Sequence, residues 1–289
     1  MEKYPSLQDA IKNYPSLEEI LSNPIAASTD NLKFLFSSMD FTSLDVTDHS
    51  GKIKAMCTQL NSFATDFPDM PPVASICVFP SLVDTVKATL QVRKTGITSV
   101  AGGFPSSQTE IEVKELETEI AILDGATEID IVLSVGKFLH GHSKEAGHEI
   151  LEIKKLCRKA LLKVILETGC LPSQESVYQA SMLALESGAD FIKTSTGKLQ
   201  PAATPEAVYT MCIALNEYYK VSGTKKGLKA AGGIVTAEDA LKYLTIVQAI
   251  LGNDWITPKL FRLGASRLAN NLLEAIANLE NKEFQPYFS

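Results

Sequence analysis

"LLKVILETGCLPSQESVYQASMLALESGADFIKTSTGK", residues 161–198, holds two short apolar runs with a longer amphipathic stretch between them. The runs 161–168 and 191–197 are β-branched and bounded by turn residues, which predicts strands. "SQESVYQASMLALES" has apolar residues at helical spacing, and Gly188 in "SGAD" ends it before the second strand. Strand, helix and strand in this order form a βαβ unit, whose two strands lie parallel.

The same alternation continues outward in both directions. Strand candidates lie at 32–40, 73–80, 97–105, 128–134, 161–168, 191–197, 227–233 and 261–266. Helical patterns such as "SLVDTVKATLQV", "QTEIEVKELETEIAIL" and "TPEAVYTMCIALNEYY" separate them. Thr204-Pro205-Glu206 and Thr236-Ala237-Glu238-Asp239 mark helix starts, with a capping hydroxyl followed by proline or carboxylates. Eight such units predict an α/β protein, a (β/α)8 barrel, as one catalytic domain over residues 31–280. Residues 1–30 stand outside it. "YPSLQDAIKN" and "YPSLEEILSN" are a near-repeat, too short for a solenoid, and predict two short helices starting at Pro-Ser as an accessory extension. Residues 281–289 form a C-terminal tail ending "QPYFS".

Composition narrows the function classes. The 289 residues are 45% hydrophobic and 21% charged, enough for one large core, and the net charge of −7 argues against nucleic acid or an anionic membrane as partner. The five cysteines are scattered with no CxxC, which argues for a reducing compartment over a disulfide framework. With no signal-peptide pattern at the N-terminus and no apolar run near the ~18 residues of a membrane span, a cytoplasmic protein is expected. "HGH" at 140–142 lacks further ligands at a standard spacing, so no metal is expected. No GxSxG occurs, and "STGK" lacks the first glycine of a phosphate-binding P-loop.

The charges within the strands point to chemistry. Alternate residues of a barrel strand face its interior, and the others face the helices. By this rule Lys193 points inward with Phe191 and Ser195, Lys229 between Leu228 and Ala230, Asp130 between Ile129 and Ile131, and Lys163 with Ile165 and Glu167. Ser38 and Asp40 fall at the C-terminal end of the first strand. Barrel interiors are normally aliphatic. Three lysines and two carboxylates in one interior are a poor stabilising device and point to an active site. Burial and like charge both lower a lysine's pKa, leaving a neutral amine able to attack a carbonyl. Asp130 stands where it can move protons, directly or through water. These are the parts of a Schiff-base aldolase that needs no metal or organic cofactor.

The loops after the last three strands read "TGK" (196–198), "AGG" (231–233) and "GASR" (264–267). Small residues let backbone N–H groups approach an anion, and this end of such barrels is a recurrent phosphate site. Lys198, Ser266 and Arg267 can add charge or a hydroxyl.

Together "FIKTSTGK", "GLKAAGG", "EIDIVLS", "LLKVILETG" and "FRLGAS", with "SSMDFTSLDVT" and "VASICVFP" earlier, resemble the deoxyribose-phosphate aldolase family over about residues 30–275. The resemblance implies reversible cleavage of 2-deoxy-D-ribose 5-phosphate to acetaldehyde and D-glyceraldehyde 3-phosphate, in deoxyribonucleotide catabolism. It makes Lys193 the Schiff-base lysine, Lys229 the lysine that lowers its pKa, and Asp130 the acid/base residue. It adds Asp40, Cys77, Lys163 and Thr168 as polar residues around the substrate, with a small core role also open for Cys77. It assigns Gly197, Lys198, Gly232, Gly233 and Ser266 to the phosphate, and implies a homodimer or higher homo-oligomer. The chain departs from the pattern in its long N-terminal extension and in Arg267, where a second serine is common. Tyr287 occupies the tail, from which some members send a tyrosine into the site. Two competing readings are a Schiff-base aldolase for another phosphorylated sugar and a phosphate-binding barrel without catalysis.

Overall fold

The computed structural model describes residues 3–288. Eight strands are hydrogen-bonded in sequence order and close on themselves: β1 Met39–Thr42, β2 Ser75–Val78, β3 Gly96–Val100, β4 Glu128–Val132, β5 Leu161–Ile165, β6 Phe191–Lys193, β7 Gly227–Ala231 and β8 Phe261–Ala265. All neighbouring pairs are parallel. The helices are α1 Leu7–Ile11, α2 Leu17–Ser22, α3 Thr29–Ser37, α4 Ser50–Asp66, α5 Val83–Thr89, α6 Ile111–Asp124, α7 Val135–Leu139, α8 Ser143–Cys157, α9 Gln174–Glu186, α10 Pro205–Ser222, α11 Ala237–Leu251 and α12 Leu268–Leu279. This is the (β/α)8 barrel expected from the alternation.

Helix ends follow local chemistry. Thr204 Oγ1 accepts from Ala207 N–H ahead of Pro205, and Thr236 and Asp239 form a reciprocal capping box. Gly125 ends α6 with φ +117°, a conformation that strains any residue with a Cβ.

The first strand differs from its sequence reading. Residues 32–37 of the expected 32–40 belong to α3, and β1 begins only at Met39. Ser28 Oγ accepts from Asn31 N–H to start the helix, and Leu32, Leu35 and Phe36 bury one helical face. The alternating look of "LKFLF" lost to this cap and to the i, i+3, i+4 spacing. Asp40 is therefore the second residue of β1 and not its C-terminal end.

The main apolar core lies between barrel and helices: Ile76, Ile129, Ile131, Leu162, Val164, Ile192, Leu228, Ala230 and Leu263 all face outward into it. The N-terminal helices rest on this outer layer. Ser6 and Ser16 cap α1 and α2, and Leu7, Ala10 and Ile20 are buried. Tyr178 Oη donates to Pro5 O at 3.2 Å, Tyr209 Oη to Pro15 O at 3.0 Å and Tyr14 Oη to Glu217 at 2.7 Å, tying residues 5–15 to α9 and α10. At the other end of the chain Phe288 packs among Phe36, Phe41 and Phe63. Asn270 holds the backbone of Tyr287 and Phe288, and Tyr287 Oη donates to Asp66 at 2.7 Å. Tyr287 thus lies against α4 outside the barrel.

Candidate active site

Inside the barrel the apolar filling is interrupted by seven ionisable side chains among the described residues. Asp130 on β4 stands at the centre. Its Oδ1 accepts from Lys163 at 2.9 Å, and its Oδ2 accepts from both Lys193 and Lys229 at 2.8 Å. Asp40 Oδ2 lies 2.5 Å from Lys229 and 3.4 Å from Lys163. Strand register explains the meeting: Asp130 pairs with Lys163, and Lys193 with Lys229. The inward placement of Lys163, Lys193, Lys229 and Asp130 by alternation agrees with these contacts.

Glu167 does not join them. It lies past the end of β5 with φ +52°, which breaks the alternation, and its carboxylate accepts from Thr196 N–H and Oγ1. Glu128 and Arg262 occupy the interior without having been singled out in the sequence. Arg262 Nη1 donates to Asp40 Oδ1 at 2.5 Å and Nη2 to Glu128 Oε1 at 3.0 Å, while Lys163 reaches Glu128 Oε2 at 2.6 Å. The alternation rule held the signal: Glu128 is two residues before Asp130, and Arg262 sits between Phe261 and Leu263.

The three lysines are all buried but not equally held. Lys163 faces three carboxylates and Lys229 two, whereas Lys193 shares one. Burial pushes the Lys193 pKa down, Asp130 opposes this, and Lys229 adds to it, leaving the amine below its ordinary value. Burial acts on Lys229 in the same direction, yet Asp130 and Asp40 outweigh it and hold this ammonium well above its ordinary value. Lys163 is raised for the same reason, with Glu128 contributing. Burial alone would raise Asp130 and Asp40. The surrounding cations prevail and keep both well below the usual carboxylate range.

Above this cluster opens a cavity of about 550 Å³, lined by Lys193, Thr196, Gly197, Lys198 and residues 231–235 and 264–267, with Thr42–Asp45 completing it. Gly197, Gly232 and Gly233 have φ of +76°, +85° and +78°. A Cβ on Gly232 would stand 2.6 Å from Ala202 Cβ, so the loop closes only around glycine. The first turn of α12 follows Arg267 without a side-chain cap, leaving N–H groups beside the cavity. Ser266 and Arg267 line its rim, and Lys198 donates to Leu44 O across the opening.

Four residues expected near the substrate do not line this cavity: Asp40 and Lys163 lie in the ion cluster, and Thr168 and Cys77 lie elsewhere. Thr168 sits in the turn after β5 with its Oγ1 buried and without a partner among the described residues. Thr196, on the loop after β6, lines the cavity instead. Cys77 is buried in a small apolar cluster with Leu44 and Val100, against Phe79 and Phe104, and burial raises its thiol pKa. His140 and His142 are exposed between α7 and α8.

Residues 41–264 match the family model described as "DeoC/LacD family aldolase". The chain belongs to that family. A Caenorhabditis elegans protein provisionally named a deoxyribose-phosphate aldolase is 40% identical over 275 residues, covering 93% of this chain and 88% of that one. The Homo sapiens deoxyribose-phosphate aldolase is 38% identical over 247 residues, 81% of this chain and 77% of its own. A solved structure from Aeropyrum pernix, described as a tetrameric deoxyribose phosphate aldolase, superposes with a TM-score of 0.64 at 21% identity over 95% of this chain and 96% of that one. That likeness concerns the fold. Membership makes the chain an aldolase, a lyase acting on carbon–carbon bonds. Among the described residues no helix is long and apolar enough to cross a membrane.

Proposed function

We propose that this aldolase cleaves 2-deoxy-D-ribose 5-phosphate reversibly to acetaldehyde and D-glyceraldehyde 3-phosphate through a Schiff base on Lys193. One observation carries the reading: the interior lysine with the fewest carboxylate partners, and with a lowered pKa, is the one that opens onto the glycine-lined cavity.

The neutral Lys193 amine adds to C1 of the open-chain sugar, and loss of water from the carbinolamine leaves a protonated imine. The C3 hydroxyl gives up its proton, the C2–C3 electron pair moves into the imine, and glyceraldehyde 3-phosphate departs from an enamine. Protonation of C2 and hydrolysis then release acetaldehyde and restore the amine. Lys229 supplies a fixed positive charge beside the imine, and Asp130 and Lys229 pass protons through a bound water. Asp40 and Lys163 hold this pair in place. Gly197, Lys198, Gly232, Gly233 and Ser266 receive the phosphate, and Arg267 adds charge at the rim. A homo-oligomeric assembly belongs to the same proposal.

Incubation with acetaldehyde and cyanoborohydride, followed by peptide mapping, tests the reading. It predicts a two-carbon adduct on Lys193, and absence of that adduct overturns it. Turnover of deoxyribose 5-phosphate well above that of fructose 1,6-bisphosphate separates it from an aldolase for another sugar phosphate.

A further inference from the structure

Lys193 and Arg262 are the two ends of an unbroken series of ion pairs. Arg262 Nη1 meets Asp40 Oδ1 at 2.5 Å, Asp40 Oδ2 meets Lys229 at 2.5 Å, and Lys229 and Lys193 share Asp130 Oδ2 at 2.8 Å each. A second branch leaves Arg262 Nη2 for Glu128 Oε1 at 3.0 Å, continues from Glu128 Oε2 to Lys163 at 2.6 Å, and rejoins at Asp130 Oδ1 at 2.9 Å. The signs alternate along both branches.

Four of these groups are cations (Lys163, Lys193, Lys229, Arg262) and three are carboxylates (Asp40, Glu128, Asp130), all buried. Fully ionised, the cluster carries one uncompensated positive charge, and a net charge kept from water is costly. Losing one proton removes the cost. Arginine does not give one up. Lys163 and Lys229 each face at least two carboxylates, so the proton leaves from Lys193.

We propose that Arg262 is a positioning residue that acts through Asp40, Glu128 and their lysines to make Lys193 the neutral amine of the cluster, although the two do not touch. The inference rests on Lys193 being the Schiff-base lysine. Its charged surroundings are Asp130 and Glu128 from β4, Lys163 from β5, Lys229 from β7, Asp40 from β1 and Arg262 from β8, with the Cys77 thiol on β2. Glu167 after β5 is taken by Thr196 and forms no ion pair among the described residues, while Lys198 is turned to the Leu44 carbonyl. Arg267 is exposed at the rim.

The test is the pH midpoint for cyanoborohydride trapping of acetaldehyde on Lys193, in the wild type, R262Q, E128Q and the E128Q/R262Q double variant, each checked for folding by near-ultraviolet circular dichroism. Removing the arginine charge moves the midpoint up by on the order of one pH unit, and trapping near neutrality falls about tenfold. Removing the Glu128 charge moves the midpoint down. The double variant restores the difference of one cation and returns it to the wild-type position. An unmoved midpoint in R262Q, or an upward shift in E128Q, overturns the inference, since loosened packing has no reason to act in opposite directions. If R262Q does not fold, E128Q decides alone: a downward shift supports the inference, and any other result overturns it. Failure of the wild type to form the Lys193 adduct defeats the aldolase reading instead, so the two failures are distinct.

Discussion

Lys193 and Lys229 sit side by side on β6 and β7 and donate to the same atom, Oδ2 of Asp130, at 2.8 Å each. They share one partner but differ in the next. Lys229 also reaches Asp40, and Lys193 has no second carboxylate among the described residues. That difference separates a permanent charge from a nucleophile.

Replacing Lys193 with methionine removes the nucleophile. Turnover is expected to fall by at least about 10³-fold, and the acetaldehyde adduct to disappear. A steady-state assay with mass mapping of the trapped protein checks both. Retention of more than a few per cent of the activity would mean that another group attacks the substrate.

Lys229→Met takes away the cation beside Lys193. The amine pKa then rises, so the acid limb of the kcat/KM profile moves to higher pH and the rate near neutrality drops by about 10²-fold. A pH–rate series on wild type and variant reads this directly. An unchanged limb means that Lys229 does not act on Lys193.

Acid stability should follow the carboxylates. Asp40 and Asp130 are held below their unfolded values, so they contribute stability above about pH 4 and lose it as pH falls through their folded values. Lys193 has the opposite sense. Its folded pKa is lowered, so its protonated form weakens the fold, and stability recovers as pH rises through that value. Urea melts of wild type and K193M should draw together as pH rises from the folded value toward the unfolded lysine value of about 10.4, with K193M the more stable at lower pH.

Gly232→Ala puts a methyl group 2.6 Å from Ala202 Cβ in a backbone conformation of positive φ. The loop must shift, and loss of the phosphate grip should raise KM about tenfold or more, with the Lys193–acetaldehyde adduct retained. If KM for the phosphorylated sugar stays put, the phosphate binds elsewhere.

Gly227→Ala would force a Cβ to 2.2 Å from the Phe191 ring at the start of β7, an overpacking worth about 1–3 kcal/mol or more. Phe191→Leu in the same chain should recover part of the loss. Thermal melts of the single and double variants measure the coupling.

The barrel and most of its inward charges were legible because two periodicities did not conflict. Short β-branched runs gave seven strands, and counting residues from Asp130 or Lys229 gave the face. The reading failed where local chemistry overrode the count. "LKFLF" looks extended, but Ser28 and the burial of Leu32, Leu35 and Phe36 make it helical. Glu167 lies on the inward parity of Lys163, yet the chain turns left-handed there and parity no longer applies. Glu128 and Arg262 were within reach of the rule, but Glu128 opens its strand and Arg262 is second in its own, where a charge reads as a loop residue. Thr168 and Thr196 occupy similar turns, and their sequences do not reveal that only the latter faces the cavity.

An interior built from alternating ions has a calorimetric signature. Exposing apolar surface raises the heat capacity of unfolding, whereas exposing polar surface lowers it. A barrel whose centre holds seven ionisable groups in place of aliphatic layers releases less of the first kind and more of the second. Its free energy of unfolding should therefore curve less with temperature than that of an aliphatic-filled barrel of equal length. Heating also lowers the cost of keeping those charges from water. At equal maximum stability, the groups that serve the chemistry would thus broaden the temperature range over which the fold persists.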